Sequence, residues 1–204
     1  MQRMTLGVLS GLILAGLPPA SPQEMPNPTA TSAGNLSANF YPKSGCEKPD
    51  KPPLPKLDYD DRAGRVIYNS AVKRYNTQLQ AFVACTGVYV AEASTDIDWI
   101  LFAANTPVAT VNGLSPPIPP AALGNMPSGF YPPPGCIAPN QQLGAPPNVH
   151  DIEAMKARNT KVKIFNVLAA SFSECLKAYV ARAHVDIQRI EEAQRAAASE
   201  ASGQ

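Results

Sequence analysis

Two aspartates at equivalent positions come closest to a chemically active pair. Asp96 and Asp186 lie ninety positions apart, each inside an apolar pattern with helical spacing. Converging carboxylates can perform acid–base catalysis or hold a metal ion, but convergence here requires parallel helices in register. In an antiparallel pair that crosses near Phe82 and Phe172, the predicted neighbours are Arg158 and Asn159 for Asp96, and Tyr68 and Asn69 for Asp186. We therefore expect hydrogen-bonded or ion-paired residues in a helix seam, with ligand binding as the alternative.

Four asparagines form a second candidate ligand site. Asn69 and Asn76 lie seven residues apart at the edge of the first apolar pattern, and Asn159 and Asn166 repeat this arrangement in the second. Their amides could bind a ligand between two helices. The interpretation we favour is structural, because an amide at such a position bonds neighbouring backbone or fixes the register of packed helices.

The most distinctive motif is Phe-Tyr-Pro-x-x-Gly-Cys, which occurs twice. Its aromatic residues are Phe40 and Tyr41 in the first copy and Phe130 and Tyr131 in the second. We expect these rings to pack beneath the proline-rich segment that follows them. The alternative is an exposed surface of aromatic and proline side chains suited to contact with another protein.

No other motif indicates catalysis or cofactor binding. His150 and His184 have no counterparts at the equivalent positions of the other half, and no cluster of His, Cys, Asp and Glu has metal-ligand spacing. Nucleophile-elbow, phosphate-loop and paired-cysteine redox motifs are also missing. A net charge of +1 gives no electrostatic reason to expect nucleic-acid binding. We therefore expect a protein that is not an enzyme and has no cofactor, metal or nucleic-acid partner.

The N-terminus and the cysteine content predict export. Residues 1–20 resemble a signal peptide, because the apolar run of residues 6–17 is too short to span a bilayer. No second long uninterrupted apolar run follows, so we expect no membrane-spanning segment in the mature chain. Four cysteines in an exported chain predict two disulfides and a periplasmic or secreted location. Residues 35–37, Asn-Leu-Ser, also match the N-glycosylation sequon.

The chain contains one unit twice. A shift of ninety positions aligns residues 40–46 with 130–136 and continues without insertion to residues 97 and 187. A repeat of this kind is typical of a supersecondary unit that buries its apolar face against its copy. The predicted organisation is a signal peptide (1–20), a disordered N-terminal segment (21–38), repeat 1 (39–104), a proline-rich linker (105–128), repeat 2 (129–197) and a disordered tail (198–204).

The distribution of proline predicts two long helices. All 22 prolines lie outside residues 58–106 and 148–204, and both windows begin with an N-cap residue, Asp58 or Asn148. Apolar residues recur in both windows at alternating steps of three and four, which is typical of coiled-coil-like packing. The predicted fold class is therefore all-α, with two long helices packed as a hairpin or coiled coil of undetermined direction.

Cysteine spacing favours one disulfide within each repeat. Cys46 precedes the predicted helix start by twelve residues and Cys85 follows it by twenty-seven, which corresponds to ~40 Å of helix. Twelve extended residues reach ~37 to 43 Å, so the bond requires a taut polyproline II arm along the helix. The same count applies to Cys136 and Cys175. The alternative joins the repeats, Cys46 to Cys136 and Cys85 to Cys175.

These features indicate a structural protein. We expect an exported scaffold or protein-interaction module of the cell envelope or secreted fraction, with an unknown protein partner and the option of homo-oligomerisation. The alternative is a ligand-binding or sensory helical bundle, in which the Asn and Asp side chains line a pocket between helices.

Overall fold

The computed structural model describes residues 33–55, 61–140, 143–148 and 150–203. The described chain forms two long helices, α1 (Arg62–Val111) and α2 (Ile152–Ser202), which pack against each other. The predicted all-α class is therefore confirmed. The predicted signal peptide lies outside the described residues.

Both helices begin three residues later than predicted. Asp61 and Asp151 are the N-caps, and their side chains accept hydrogen bonds from the backbone N–H three residues on, at 2.7 and 2.9 Å. A carboxylate at this position also complements the positive end of the helix dipole. Asn148 instead accepts from the N–H of His150 in the turn before α2, so its prediction as N-cap was wrong. Asp58 lies outside the described residues.

The C-terminal ends of both helices extend past the predicted limits. Helix α1 continues through Pro107 to Val111, because a proline in the final turns removes only one backbone hydrogen bond. Asn112 is the C-cap, and the φ of +65° at the following Gly113 allows the N–H of Leu114 to bond the carbonyl of Ala109 at 2.9 Å. Helix α2 continues through residues 198–202 and is capped by Gly203, where the sequence had predicted a disordered tail.

The helices are antiparallel. Gln194 Nε2 donates to the carbonyl of Val90 at 3.0 Å. Farther along α2, the carbonyl of Glu200 accepts from Lys48 Nζ at 3.0 Å, and Lys48 lies two residues from the disulfide partner of Cys85. Because contacts move backwards along α1 as α2 advances, the two helices run in opposite directions.

The buried residues lie in the middle and the C-terminal part of each helix. The fully or nearly buried residues of α1 are Phe82, Thr86, Tyr89, Ala93, Asp96, Ile100 and Ala104, and those of α2 are Leu176, Tyr179, Ala183, Asp186, Ile187, Ile190 and Ala197. We place the crossing near Ile97 and Ile187, which are equivalent residues of the two repeats, because both pack in the shared cluster and Gln194 contacts Val90 and Ser94. The predicted crossing near Phe82 and Phe172 is therefore displaced by about four helical turns. Among the described residues, no helix faces the N-terminal halves, which continue beyond the crossing.

The disulfides join residues within each repeat, as predicted. Cys46 bonds Cys85 and Cys136 bonds Cys175, with 5.8 Å between the Cα atoms in both pairs. Each bond fixes the segment that precedes a helix to the middle of that helix. The alternative pairing between repeats was wrong.

The arms between the first cysteine and the helix are less taut than expected. The later helix start leaves fifteen residues from Cys46 to Asp61 and twenty-four from Asp61 to Cys85, so the arm spans ~36 Å of helix at ~2.4 Å per residue. Polyproline II rises ~3.1 Å per residue. The disulfide therefore does not require a fully extended arm, and polyproline II conformation stays a prediction.

Helix α2 is, among the described residues, the one helix whose length and composition would allow it to cross a membrane. Most of the stretch concerned is exposed in this chain. The expected absence of a membrane-spanning segment from the mature chain stays a prediction.

Candidate functional site

Each helix buries one aspartate against a short segment of the other repeat. We call residues 34–36 (Gly-Asn-Leu) and 124–126 (Gly-Asn-Met) the docking segments. Residues 124–126 lie on Asp96 in α1, forming site 1, and residues 34–36 lie on Asp186 in α2, forming site 2. Both aspartates have an exposed fraction of 0%.

Site 1 surrounds the Asp96 carboxylate with three donors. The backbone N–H groups of Asn125 and Met126 donate to Asp96 Oδ2 at 2.8 and 3.2 Å. The hydroxyl of Tyr41 donates to the same oxygen at 2.8 Å. Charge-assisted hydrogen bonds of this kind are the strongest that a buried carboxylate can accept without a cation.

The Asn125 side chain is held as firmly as its backbone. Asn125 Nδ2 donates to the Tyr41 hydroxyl at 2.9 Å and to the carbonyl of Tyr89 at 3.0 Å. Just before this segment, the carbonyl of Ala122 accepts from Trp99 Nε1 at 3.2 Å. Three kinds of contact therefore hold this docking segment: its backbone N–H groups, the side-chain amide of Asn125, and the carbonyl of Ala122 just before it.

Site 2 repeats this arrangement. Asp186 Oδ2 accepts from the backbone N–H groups of Asn35 and Leu36 at 2.8 and 3.2 Å and from the Tyr131 hydroxyl at 3.1 Å. Asn35 Nδ2 donates to the Tyr131 hydroxyl at 2.6 Å and to the carbonyl of Tyr179 at 3.0 Å. The equivalent residues of the two repeats thus make equivalent contacts.

The first residue of each docking segment must be glycine. A Cβ atom at Gly34 would overlap the carboxylate of Asp186, and one at Gly124 would overlap that of Asp96. Any side chain would therefore force the segment away from the aspartate and lengthen both backbone hydrogen bonds.

Each docking segment contacts the aspartate of the other repeat, whereas the tyrosine of each Phe-Tyr-Pro motif contacts the aspartate of its own repeat. Tyr41 and Asp96, which it contacts, both belong to repeat 1. Within the same repeat, the Tyr89 hydroxyl donates to the carbonyl of Pro42 at 2.8 Å. The Tyr179 hydroxyl makes the matching 2.8 Å contact in repeat 2. Each repeat therefore builds most of its own site and supplies the last piece of the other one.

The two sites differ in charge. Arg189 Nη1 donates to Asp186 Oδ1 at 3.0 Å and to the carbonyl of Leu36 at 3.3 Å. Arg182 Nε adds a 2.7 Å hydrogen bond to the side chain of Asn35. At the equivalent positions of repeat 1 the sequence has Trp99 and Glu92, so no arginine stands at those positions of site 1.

Burial shifts the pKa of several groups in the two sites. Burial raises the pKa of Asp96, and Glu92 raises it further, while the hydrogen bonds from Tyr41, Met126 and Asn125 oppose the shift. Burial also raises the pKa of Tyr41 and Tyr131 and raises the pKa of Tyr179 to about 12. These hydroxyls therefore remain protonated donors at neutral pH.

Hydrogen bonds from the chain itself occupy both aspartate carboxylates. Each carboxylate is enclosed by donors of the chain itself, so a substrate would have to displace a docking segment to reach it. The predicted hydrogen-bonded character of Asp96 and Asp186 is present, but their predicted partners were wrong. The crossing point explains this, because the residues that were expected to face the aspartates lie on the halves of the helices that extend beyond the crossing.

The structure separates the four candidate asparagines from the aspartates. Asn69, Asn76, Asn159 and Asn166 are all exposed, and all lie on the N-terminal halves of the helices. They form no common site with Asp96 or Asp186. Ligand binding by these amides stays a prediction.

The aromatic motif lies against the core. Tyr131 is buried, while Phe40, Tyr41 and Phe130 are half-buried and pack onto the helix cluster. Phe40 and Tyr41 make an edge-to-face contact at 5.8 Å, and Phe130 and Tyr131 repeat it at 6.0 Å. A further role of these rings in contacting another protein stays a prediction.

Sequence reasoning missed the docking segments. It assigned residues 34–36 to a disordered end and residues 124–126 to a linker, although Gly34-Asn35 and Gly124-Asn125 are matched by the same ninety-residue shift. Extending that alignment backwards would have found them. Asn35 is also the acceptor residue of the predicted sequon, and its Nδ2 atom already donates two hydrogen bonds.

No protein-family model matches the chain, and neither the curated proteins nor the solved structures compared with it contain a match.

Proposed function

We propose that the chain is an exported, non-enzymatic scaffold or protein-interaction module of the cell envelope or secreted fraction. The observation that carries the proposal is the form of the two helices, which meet only through their C-terminal halves. Each N-terminal half extends beyond this core and is joined to its own arm by a disulfide. Such a design presents two reinforced helical surfaces on one base.

Both disulfides are formed, and the structure has no free cysteine. Disulfides persist in oxidising compartments outside the cytoplasm. This supports export, and we infer a periplasmic or secreted location from it together with the predicted signal peptide.

The extended halves expose large apolar side chains. In α1, Val66 and Ile67 have exposed fractions of 60 and 70%, and in α2, Val167 has an exposed fraction of 69%. Ile164 and Leu168 flank Val167 on the same helix and are also exposed. Clustered exposed apolar residues are typical of surfaces that bind another protein. Because these positions are not equivalent in the two repeats, the two ends suit different partners.

We further infer that the arms are polyproline II struts that stiffen the extended halves. The described part of the first arm, residues 47–55, forms no regular secondary structure, contains four prolines and runs beside α1. A polyproline segment needs no internal hydrogen bonds and loses little entropy on docking.

Site-specific photo-crosslinking in the producing cell tests the scaffold role. A photoreactive residue at Ile67 or at Val167 should capture partner proteins of the exported fraction, with different partners at the two positions. A photoreactive residue at Gln80, which is exposed on α1 outside both apolar surfaces, is the control. Crosslinks at Ile67 and Val167 that do not exceed those at Gln80 would contradict the proposal.

A ligand-binding role is the second candidate, because one groove has suitable chemistry. A cavity of about 250 Å³ lies between the first arm and α1, lined by Asp50, Pro52, Ala71, Arg74, Tyr75 and Gln78. It lies beside one helix rather than between the two. A thermal-shift screen distinguishes the candidates, since a ligand that raises the melting temperature of wild type but not of Arg74→Ala favours the groove.

A further inference from the structure

We propose that the interface between the repeats can form between molecules, so that repeat 1 of one copy pairs with repeat 2 of a second copy. The resulting dimer would contain the same two aspartate sites as the single chain. This inference concerns self-assembly and does not depend on the scaffold role.

Covalent structure makes each repeat self-contained. Both disulfides close within a repeat, and each tyrosine of the Phe-Tyr-Pro motif bonds the aspartate of its own helix. Contacts between the repeats are non-covalent: the helix crossing, the two docking segments, the bonds made by Gln194 and the hydrogen bond from Lys48 to Glu200. The only covalent connection is the linker between Val111 and Gly124.

The chemistry of the two sites points to a second copy as the partner. A separated repeat 1 would leave Asp96 without the two N–H groups of its docking segment, and a separated repeat 2 would do the same to Asp186. In a separated repeat the aspartate is exposed to water, and burying it again is favourable only against a segment that restores these donors. The replacement must begin with glycine, because a Cβ atom would overlap the carboxylate, and must continue with asparagine, whose amide meets a tyrosine hydroxyl and a carbonyl. Another copy of this chain supplies both segments with the matching helix face.

The linker decides whether the interface closes within one chain. From Val111 the chain must return to Ala122, which lies beside Trp99, and twelve helical residues separate Trp99 from Val111, or ~18 Å. The ten residues between Val111 and Ala122 can reach ~36 Å when extended, which is ample. Deletion of residues 115–121 leaves three residues, which reach ~14 Å. That variant cannot place its docking segment on its own Asp96.

The experiment compares two variants of the whole chain that differ only in the linker. One lacks residues 115–121, and the control replaces the same seven residues with an equal length of glycine and serine. Light scattering after size exclusion should give the mass of one chain for the control and of two chains for the deletion. Circular dichroism and the fluorescence of Trp99 should be the same in both, because the dimer restores the same contacts.

A second pair of variants in the deletion background tests the docking segments. Gly124→Val should abolish the two-chain species, since the side chain would overlap Asp96. Gly87→Ala is the matched control and should keep it, because a Cβ atom at Gly87 meets no atom within 4 Å.

Three results would overturn the proposal. A deletion variant that is a single chain with full helicity would show that the repeats do not pair between copies. A deletion variant that loses its helicity would show that a repeat cannot find its partner without the linker. A dimer that survives Gly124→Val would show that the docking segments do not hold it.

Discussion

Asp96 and Asp186 accept the same set of hydrogen bonds but differ in their neighbouring charge. Two backbone N–H groups and one tyrosine hydroxyl satisfy each carboxylate. Only Asp186 is also paired with a cation, Arg189, at 3.0 Å. Hydrogen bonds offset much of the cost of burying a charge, and an ion pair offsets more. An ion pair therefore supports the carboxylate at site 2, whereas hydrogen bonds support the one at site 1.

The glycines of the docking segments should be intolerant of a single methyl group. We expect Gly34→Ala and Gly124→Ala each to lower the free energy of unfolding by about 1 to 3 kcal/mol, because Cβ would overlap a buried carboxylate. Gly87→Ala, in the exposed interior of α1, should instead raise it by about 0.5 to 1 kcal/mol. Urea unfolding of the four proteins provides the measurement, and equal effects at Gly34 and Gly87 would refute the explanation.

Replacing each aspartate by asparagine should reveal the asymmetry of the two sites. In Asp96→Asn the amide oxygen can accept all three hydrogen bonds that Oδ2 accepts, so we expect a change within about 1 kcal/mol. In Asp186→Asn the Arg189 guanidinium loses its carboxylate, so we expect a loss of about 1.5 to 3 kcal/mol. Chemical denaturation of both variants tests this, and a larger loss at Asp96 would contradict it.

The raised pKa of Asp96 predicts a pH dependence. Its pKa in the folded chain lies above the value of about 3.9 expected for an unfolded chain. Its contribution to stability is therefore fully present below that value and is lost as the pH rises through the folded pKa. Asp96→Asn should accordingly gain stability relative to wild type between about pH 3 and neutrality. The unfolding free energy of Asp96→Asn minus that of wild type should increase as the pH rises across this range. A difference that does not change with pH would contradict the raised pKa of Asp96.

The residues of the sites show where sequence reasoning ends. Apolar spacing placed Asp96 and Asp186 on the helix seam, and their burial follows from that position. The partners could not be found in the same way, because Asn35 and Asn125 lie in segments without helical periodicity. Their role depends on the position of the crossing, which the heptad pattern leaves open since it continues along the whole of each helix.

At the scale of elements, proline and cysteine were the most informative residues. Proline-free windows predicted both helices, and the spacing of Cys46 and Cys85 predicted the disulfide within the repeat. The argument from arm length was incomplete. Asp61 rather than Asp58 caps α1, so the arm is three residues longer than assumed and need not be fully extended. The pairing therefore does not depend on a taut arm, and a loop within one repeat costs less entropy to close than a longer loop between repeats.

Removing one disulfide should lower the free energy of unfolding by an amount that does not exceed about 3 to 4 kcal/mol. Replacing Cys136 and Cys175 by alanine opens a loop closed across 39 residues, which increases the entropy of the unfolded chain. The double variant should retain the helix crossing, because neither cysteine belongs to the core cluster. Thermal unfolding together with circular dichroism measures both effects, and a loss of helicity at low temperature would disagree.

At the scale of the described chain, order should decrease from the crossing outwards. The C-terminal halves have a facing helix, two docking segments and fully buried residues such as Ile100 and Ile190. The N-terminal halves have only their arms. Stability against local opening follows buried apolar contact, so the two halves of one continuous helix should differ.

Hydrogen exchange followed by mass spectrometry can measure this gradient. Amides of residues 66–81 should exchange faster than those of residues 86–104, although both belong to α1. The difference should shrink when the wild-type protein is bound to a partner along the extended half. Uniform protection along α1 in the free protein would be inconsistent with this organisation.

For a chain exported as we propose, the crossing of the docking segments also sets the order in which the two sites form. Site 1 needs residues 124–126, which begin thirteen residues after the end of α1, whereas site 2 cannot close before α2 has emerged from a translocation channel. Residues 34–36 must therefore wait, without the Asp186 carboxylate, until the second half of the chain arrives. During that interval Asn35 is accessible to any enzyme that modifies nascent chains, and a group attached to its Nδ2 would block the final closure.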